Sequence, residues 1–296
     1  MAVVTPSNQR WRVWAVHIAL LAFIALTLLP LLTILSISLR PGNFAGGSLI
    51  PKALTLDHWK LALGISVLGP DGKWEAPPFP VLQWIANSMK VALVSAAVAL
   101  LLSVTSAYAF ARMRFRGKRL TLDALLLLQM FPSVLALVAI YSIFDRIGEW
   151  VPWLGLNSHW SLVLAYSGGI AQHVWLIKGY FESLPVELEE AAAVDGATPL
   201  VAFVRVLLPL AGPILAVVFV LAFLGAMIEY PIASVLLHEE SQLTLAVGSR
   251  LFLFNQRYLW GDFAATAILA GLPLTLLFLF TQRWLVSGLS AGAVKG

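Results

Sequence analysis

The 296-residue chain has no cysteine, which removes disulfides and thiolate metal sites from consideration. It is also poor in charge. Only 11% of its residues are Asp, Glu, Lys or Arg and 60% are hydrophobic, whereas about a quarter of a soluble domain is charged. A soluble globular chain is excluded, and a polytopic membrane protein is implied. Catalytic signatures are missing too. Neither Gly72-Lys73 nor Gly117-Lys118 has the upstream glycine or the following hydroxyl of a phosphate loop, so ATP is not held that way. There is no His-Glu-x-x-His and no Gly-x-Ser-x-Gly, and Gly261-Asp262 lacks the partner motif of an intramembrane aspartyl protease. The five histidines (His17, His58, His159, His173, His238) fall on separate predicted elements, so no metal cluster is expected. No catalytic, cofactor-binding or metal residue is assigned.

What is present is apolar length. A bilayer core needs roughly 20 apolar residues per helix, and six runs qualify, at about 13–39, 85–111, 120–144, 159–177, 211–237 and 262–286. The first is too long for a signal-peptide core and no small-residue cleavage site follows it, so it reads as a retained helix with Pro30 inside. Six spans put both termini on one side. The loop Arg112-Met-Arg-Phe-Arg-Gly-Lys-Arg119 holds five bases and no acid, which marks that side as cytoplasmic. Retention of this kind accounts for the basic run without nucleic acid. Outer loops are then expected at about 40–84, 145–158 and 238–261. The first is rich in Pro, Gly and Trp (Trp59, Trp74, Pro77, Pro78, Pro80), as suits a surface that lies on the membrane and meets a partner.

Ionisable groups within spans are costly and mark cavities or partners. Glu229 leads them: with Tyr230 and Pro231 it lines a translocation path or gate, or else it is a structural pair or an interfacial group. Lys90 lies near the outer end of its span, where snorkelling accounts for it. Asp123 is expected to pair beside the basic loop. Asn87, Ser88 and Gln129 either hydrogen-bond a sugar or join helices, and Asp262 is expected to cap the last span.

Between the fourth and fifth runs lies a polar island, Glu190-Ala-Ala-Ala-Val-Asp-Gly196, followed by Val206-Leu-Leu-Pro209. Ser183, Pro185 and the acids Glu187, Glu189 and Glu190 suit a helix N-terminus, predicting a helix from about Ser183 to Asp195. Gly196 stops it as a C′ glycine, and Thr198-Pro199 opens a second helix that runs to a break at Leu208-Pro209. Leu188, Ala191 and Ala192 share one face of the first helix, apolar but nearly bald, which suits insertion into a groove. The island reads as a docking element.

Glu190-Ala191-Ala192, then Gly196, an apolar Val206 and Leu208-Pro209, resembles the EAA signature of ABC importer permeases, with Val206 in place of the usual isoleucine. Its place in a cytoplasmic loop about a hundred residues from the C-terminus also fits. Further stretches carry a narrower resemblance: Ser36-Ile-Ser-Leu-Arg-Pro-Gly-Asn-Phe44, Asp57-His-Trp-Lys-Leu-Ala62, Ala107-Tyr-Ala-Phe-Ala-Arg-Met-Arg-Phe115, Gln129-Met-Phe-Pro132, Lys178-Gly-Tyr-Phe-Glu182, Tyr258-Leu-Trp-Gly-Asp-Phe263 and Gln282-Arg-Trp-Leu-Val286. Together these are similar to the binding-protein-dependent sugar permeases, the smaller maltose and maltodextrin subunits in particular.

The resemblance implies an all-α, six-span permease of the type I importer fold in the bacterial inner membrane, with both termini cytoplasmic. It divides the chain into 1–84, holding the first helix and a long periplasmic loop, and a core transmembrane domain, 85–296, with the EAA loop at about 182–210. The implied function is a non-catalytic permease subunit of an ATP-driven maltose and maltodextrin importer. Its implied partners are a second, MalF-like permease subunit, a homodimeric MalK-like ATPase, a periplasmic maltose-binding protein and the lipid bilayer. ATP and Mg would be used by the ATPase and no cofactor held by this chain. Glu190, Ala191, Ala192, Asp195, Gly196, Ala197, Leu208 and Pro209 would couple to the ATPase. The loop 238–261, with Glu239, Glu240, Arg250, Asn255, Gln256 and Arg257, would face the binding protein or stay a solvated loop, and a flexible tail at 290–296 would reach the ATPase side. A permease for another oligosaccharide, a secondary carrier and a membrane scaffold are the alternatives. A carrier calls for matched halves with paired broken helices and ion-coupling acids.

Overall fold

Proline and glycine decide where the apolar runs bend. In the computed structural model, which describes residues 7–69, 71–254 and 257–293, the chain is mostly helical. It opens with α1 (Ser7–Ser38), α2 (Asp57–Ala62), a hairpin of β1 (Val67–Leu68) and β2 (Trp74–Glu75), and α3 (Val81–Arg112). Then come α4 (Lys118–Met130), α5 (Leu137–Trp150), α6 (His159–Tyr166), α7 (Ala171–Ser183), α8 (Glu187–Val194), α9 (Pro199–Ala202) and α10 (Leu208–Leu210). It closes with α11 (Gly212–Ile228), α12 (Pro231–Leu236), α13 (Leu245–Gly248), a hairpin of β3 (Leu253–Phe254) and β4 (Arg257–Tyr258), and α14 (Trp260–Ala293).

Among the described residues, three helical stretches are long and apolar enough to cross a membrane: Trp11–Ser38, Val81–Arg112 and Trp260–Gln282. The number rises to five if each of two bent pairs is one span. One pair corrects the straight run expected at 120–144: α4 and the helical stretch to Trp150 meet at 84°. Pro132 has no N–H to give the helix and pushes Phe131 into the extended region (ψ 125°). The run 159–177 is likewise divided into α6 and α7 by a tight turn at Ser167–Gly169.

Two compact units emerge, residues 1–80 with 251–269, and residues 81–250 with 270–296. In the first, α1 turns apolar side chains outward in all directions (Leu21 65% and Phe23 64% exposed), as a lipid-facing helix does. Its polar centre is an ion pair. His58 Nδ1 donates to Asp262 Oδ1 at 2.6 Å, and Nε2 donates to the carbonyls of Arg40 (2.9 Å) and Gly42 (3.2 Å). With only acceptors facing it, the ring carries both protons. Burial pulls the His58 pKa down, but the hydrogen bond and charge of Asp262 and the two carbonyls outweigh this and leave it raised. Asn43 completes the set, accepting from the N–H groups of Gly261 (2.9 Å) and Asp262 (3.2 Å) while its amide donates to Asp262 Oδ2 (3.2 Å). Asp262 was expected to cap the last span. The capping acceptor is instead Asn43, about 220 residues away in sequence, and Asp262 is buried in the first turn of α14.

The second unit is built on α3, which packs against α11, α7 and α6. Its buried face is made of small residues, among them Ala92, Ala96, Ala99, Ser103 and Ala107, so neighbouring backbones approach closely. Ala92 and Ala96 receive Phe223 and Met227. Further along, Val104, Ala107 and Phe110 join Val174, Ile177, Phe181, Phe203, Leu207, Ala211 and Val218 in the larger core cluster.

Candidate functional site

The polar island folds as helix, glycine turn, helix. Gly196 sits at φ +83°, the left-handed conformation that ends a helix at low cost only with glycine. Ala197 N–H returns to Ala192 O at 2.9 Å and Gly196 N–H to Ala193 O at 3.0 Å, closing the C-terminal turn. Thr198 Oγ1 then accepts from Val201 N–H at 3.3 Å with Pro199 at the first helical position. Two expectations are corrected. The first helix begins at Glu187, not Ser183, because Ser183 ends α7 and Pro185 bars continuation. The second helix does not break at Leu208-Pro209. A π turn at Phe203–Leu207, closed by Leu208 N–H on Phe203 O, carries the chain past the proline. The bend of 77° falls between Leu210 and Gly212.

The first helix, α8, has no buried residue. Val194 (88%), Leu200 (70%) and Val204 (48%) leave apolar surface exposed around the turn. Glu190, Ala191 and Asp195 are exposed, Ala192 and Ala197 half-buried, Leu208 half-buried and Pro209 exposed. Glu190 makes no ion pair among the described residues. Its neighbour Glu189 does: Arg112 Nε, in the last turn of α3, donates to Glu189 Oε1 at 2.5 Å, and Arg112 Nη2 donates to the Leu184 carbonyl at 3.0 Å. Both side chains are close to buried, 11% and 14% exposed. Tyr108 Oη adds a longer contact to Glu189 Oε2 at 3.5 Å, and its ring lies 4.4 Å from that of Phe203. Sequence reasoning counted Arg112 as a topogenic base and Glu189 as a helix-dipole acid. That they meet depends on how α3 and α7 pack, and no local signal carries it.

Glu229 sits where α11 gives way to α12. Its carboxylate accepts from the N–H groups of Ile232 (2.7 Å) and Ala233 (3.0 Å) and from Tyr166 Oη (2.7 Å). It thus caps α12, whose first residue is Pro231, and ties it to the end of α6. The Tyr230 ring carries the guanidinium of Arg250 at 5.2 Å.

The outer-loop candidates are divided. Asn255 and Gln256 lie outside the described residues, and only the backbone of Arg257, in β4, is described. The segment before them is not a loose loop. Asn87 Nδ2 donates to the carbonyls of Ser241 (2.9 Å) and Leu243 (3.0 Å), Gln83 Nε2 to Ser241 (3.0 Å) and Trp84 Nε1 to Glu240 (2.8 Å), while Ser88 Oγ accepts from Leu245 N–H (2.8 Å). Asn87 therefore holds loop backbone, where a sugar or a neighbouring helix was expected, whereas Ser88 joins α3 to the first residue of α13, the helix-joining alternative. Asp123 is exposed without an ion pair among the described residues although Arg119 lies one helical turn before it, since a solvated pair of this kind gains little; Gln129 is exposed on α4. Lys90 is exposed at the edge of an open cavity of about 370 Å³ that includes Trp153 and Trp160. The tail read as flexible is helical to Ala293, and 294–296 lie outside the described residues.

A mostly helical chain with bent apolar spans and an exposed helix–turn–helix is the architecture of a membrane transport subunit, and the comparisons place it in that class. The model of the family of binding-protein-dependent transport system inner membrane components matches residues 99–291, and the chain belongs to that family. Among curated proteins it is 59% identical to the maltose/maltodextrin transport system permease protein MalG of Photorhabdus laumondii and 58% identical to that of Escherichia coli K12. In each case the match covers 100% of both chains. Among solved structures, a chain of a bacterial ABC transporter involved in the import of the acidic polysaccharide alginate superposes with a TM-score of 0.76 at 21% identity. That match covers 95% of this chain and 99% of the other and speaks for the fold alone.

Proposed function

We propose that this chain is the permease subunit of a maltose and maltodextrin importer. The observation that carries this is end-to-end identity of 58–59% with proteins of that name. The subunit crosses the inner membrane six times with both termini cytoplasmic: the run divided into α6 and α7 supplies a span beyond the five counted by length, and the five bases of 112–119 set the orientation. A MalF-like permease completes the path, a MalK-like ATPase dimer uses ATP and Mg, and a periplasmic maltose-binding protein delivers the sugar.

The island is the coupling element. Glu190, Ala191, Ala192, Asp195, Gly196 and Ala197 enter a groove of the ATPase, and Leu208-Pro209 lie in the turn that leads to the 77° bend. The exposed apolar surface at Val194 and Leu200 supports this, being costly to leave in water and well shaped for a groove. When the ATPase dimer closes, the docked helices shift as rigid bodies and bias the permease between its two states. Glu229, Tyr230 and Pro231 line the path at a helix break, and the 238–261 segment, with Asn255, Gln256 and Arg257, meets the binding protein.

The test is ATPase activity of the chain coexpressed with its permease and ATPase partners in nanodiscs, with and without maltose and binding protein. Stimulation by liganded binding protein, lost when 190–196 is deleted while assembly is checked by copurification, is the expected result. No copurifying ATPase and no stimulation would sink the reading.

A further inference from the structure

We propose that Arg112 and Glu189 form the strut through which movement of α8 reaches the long helix α3, making both positioning residues for coupling. The inference rests on the coupling reading above. α8 buries none of its own residues, so apolar packing contributes little to holding it, its contacts being with α9 and the π turn that follow it. What ties it to α3 is one guanidinium that grips two points at once, the carboxylate of Glu189 in the first turn of α8 and the carbonyl of Leu184 at the end of α7, with Tyr108 Oη adding the longer contact to Glu189. The geometry suits arginine and not lysine, since a planar fork reaches two acceptors in fixed directions. The charges also match the helix ends, a cation in the last turn of α3 and an anion in the first turn of α8. Near-burial at 11% and 14% exposure distinguishes the pair from solvated surface pairs, which contribute little. Losing one partner strands the other charge away from water. At its other end α3 holds the 240–245 backbone and along its length it packs α6, α7 and α11. A shift of α8 transmitted to α3 therefore reaches both ends of this unit.

The absence of cysteine makes the test direct. Spin labels at Thr105→Cys on α3 and Glu187→Cys on α8, both exposed positions, are placed in the assembled complex in nanodiscs. Their separation is measured without nucleotide and with ATP trapped in the ATPase. The strut predicts one unchanged distance in both states, broadened when Arg112→Gln is added. A distance that shifts with ATP in the otherwise wild-type chain would overturn it. The functional arm uses Arg112→Glu, Glu189→Arg and the double exchange. Each single variant should copurify the ATPase yet lose stimulation by maltose-loaded binding protein by about 10-fold, and the double exchange should regain most of it. Assembled single variants stimulated like wild type also overturn the strut, as does an assembled double exchange no better than either single. Failure of the wild-type chain to copurify the ATPase would instead defeat the coupling reading beneath it.

Discussion

The two ends of α3 hold their neighbours in opposite ways. At one end Gln83, Trp84, Asn87 and Ser88 make five neutral hydrogen bonds to the backbone of residues 240–245. At the other, a single arginine holds α8 through the Glu189 carboxylate and the end of α7 through the Leu184 carbonyl. The first arrangement is redundant and shielded, and each bond is worth about 1 kcal/mol. The second concentrates the attachment in one nearly buried ion pair and leaves most of α8 exposed. A segment held at many points resists local movement, whereas one held at a single charged point moves with its holder as the arm of a lever. The difference suits one segment that stays anchored and one that the proposed docking requires to be accessible.

The largest effect expected from breaking this contrast is at Gly248. A Cβ there would meet the Trp84 ring at 2.3 Å. The indole is fully buried and its N–H donates to Glu240 O, so it has no room to yield. Gly248→Val should lower stability by about 3 kcal/mol through overpacking, seen as a lower midpoint of thermal unfolding in detergent. Next comes Asn87→Leu, which strands the carbonyl of Leu243 and leaves that of Ser241 to Gln83 alone. A loss of about 2 kcal/mol is expected, with faster amide exchange over 241–245. Exchange unchanged from wild type would show that the remaining three bonds suffice and would sharpen the claim of redundancy.

Legibility from sequence follows the same division. Local chemistry was readable: the glycine that stops α8 and the Thr198-Pro199 start of α9 each act within a few residues of themselves. The family was readable because the EAA spacing is itself local. Pro132 was visible, but the 84° bend was not foreseen, since a proline alone does not tell a kink from a break. The long-range pairs were illegible. Arg112 meets Glu189 across 77 positions and His58 meets Asp262 across 204, and a lone charge in sequence names no partner. Asn87 misled for a related reason: a polar residue in an apolar run signals a hydrogen bond but not its acceptor.

At the lever end, Gly196→Val forces a β-branched residue into φ +83°, at a cost of about 1–2 kcal/mol. Open space surrounds the site, so the strain is confined to backbone and the chain should fold. Coupling should suffer more than stability, with ATPase stimulation by liganded binding protein falling while the melting temperature moves by a few degrees, roughly as such a cost implies. Wild-type association and transport in this variant would defeat the claim that the turn geometry matters.

The smallest expected effect separates ionisable anchors from neutral ones by pH. His58 has a pKa raised in the folded chain above its ordinary 6.5. Its pairing with Asp262 therefore contributes fully below about 6.5 and is lost as pH rises through the raised value. Above that point the ring gives up a proton, and one of its nitrogens then faces an acceptor without a hydrogen to offer. The unfolding midpoint of wild type should thus fall between pH 6 and pH 9 relative to that of His58→Gln, which cannot titrate. The five neutral bonds at the end of α3 have no such dependence, so Asn87→Leu should lower the midpoint by the same amount at both pH values. Parallel pH profiles for wild type and His58→Gln would mean that the imidazolium contributes nothing, and the contrast would then rest on the Arg112–Glu189 pair alone.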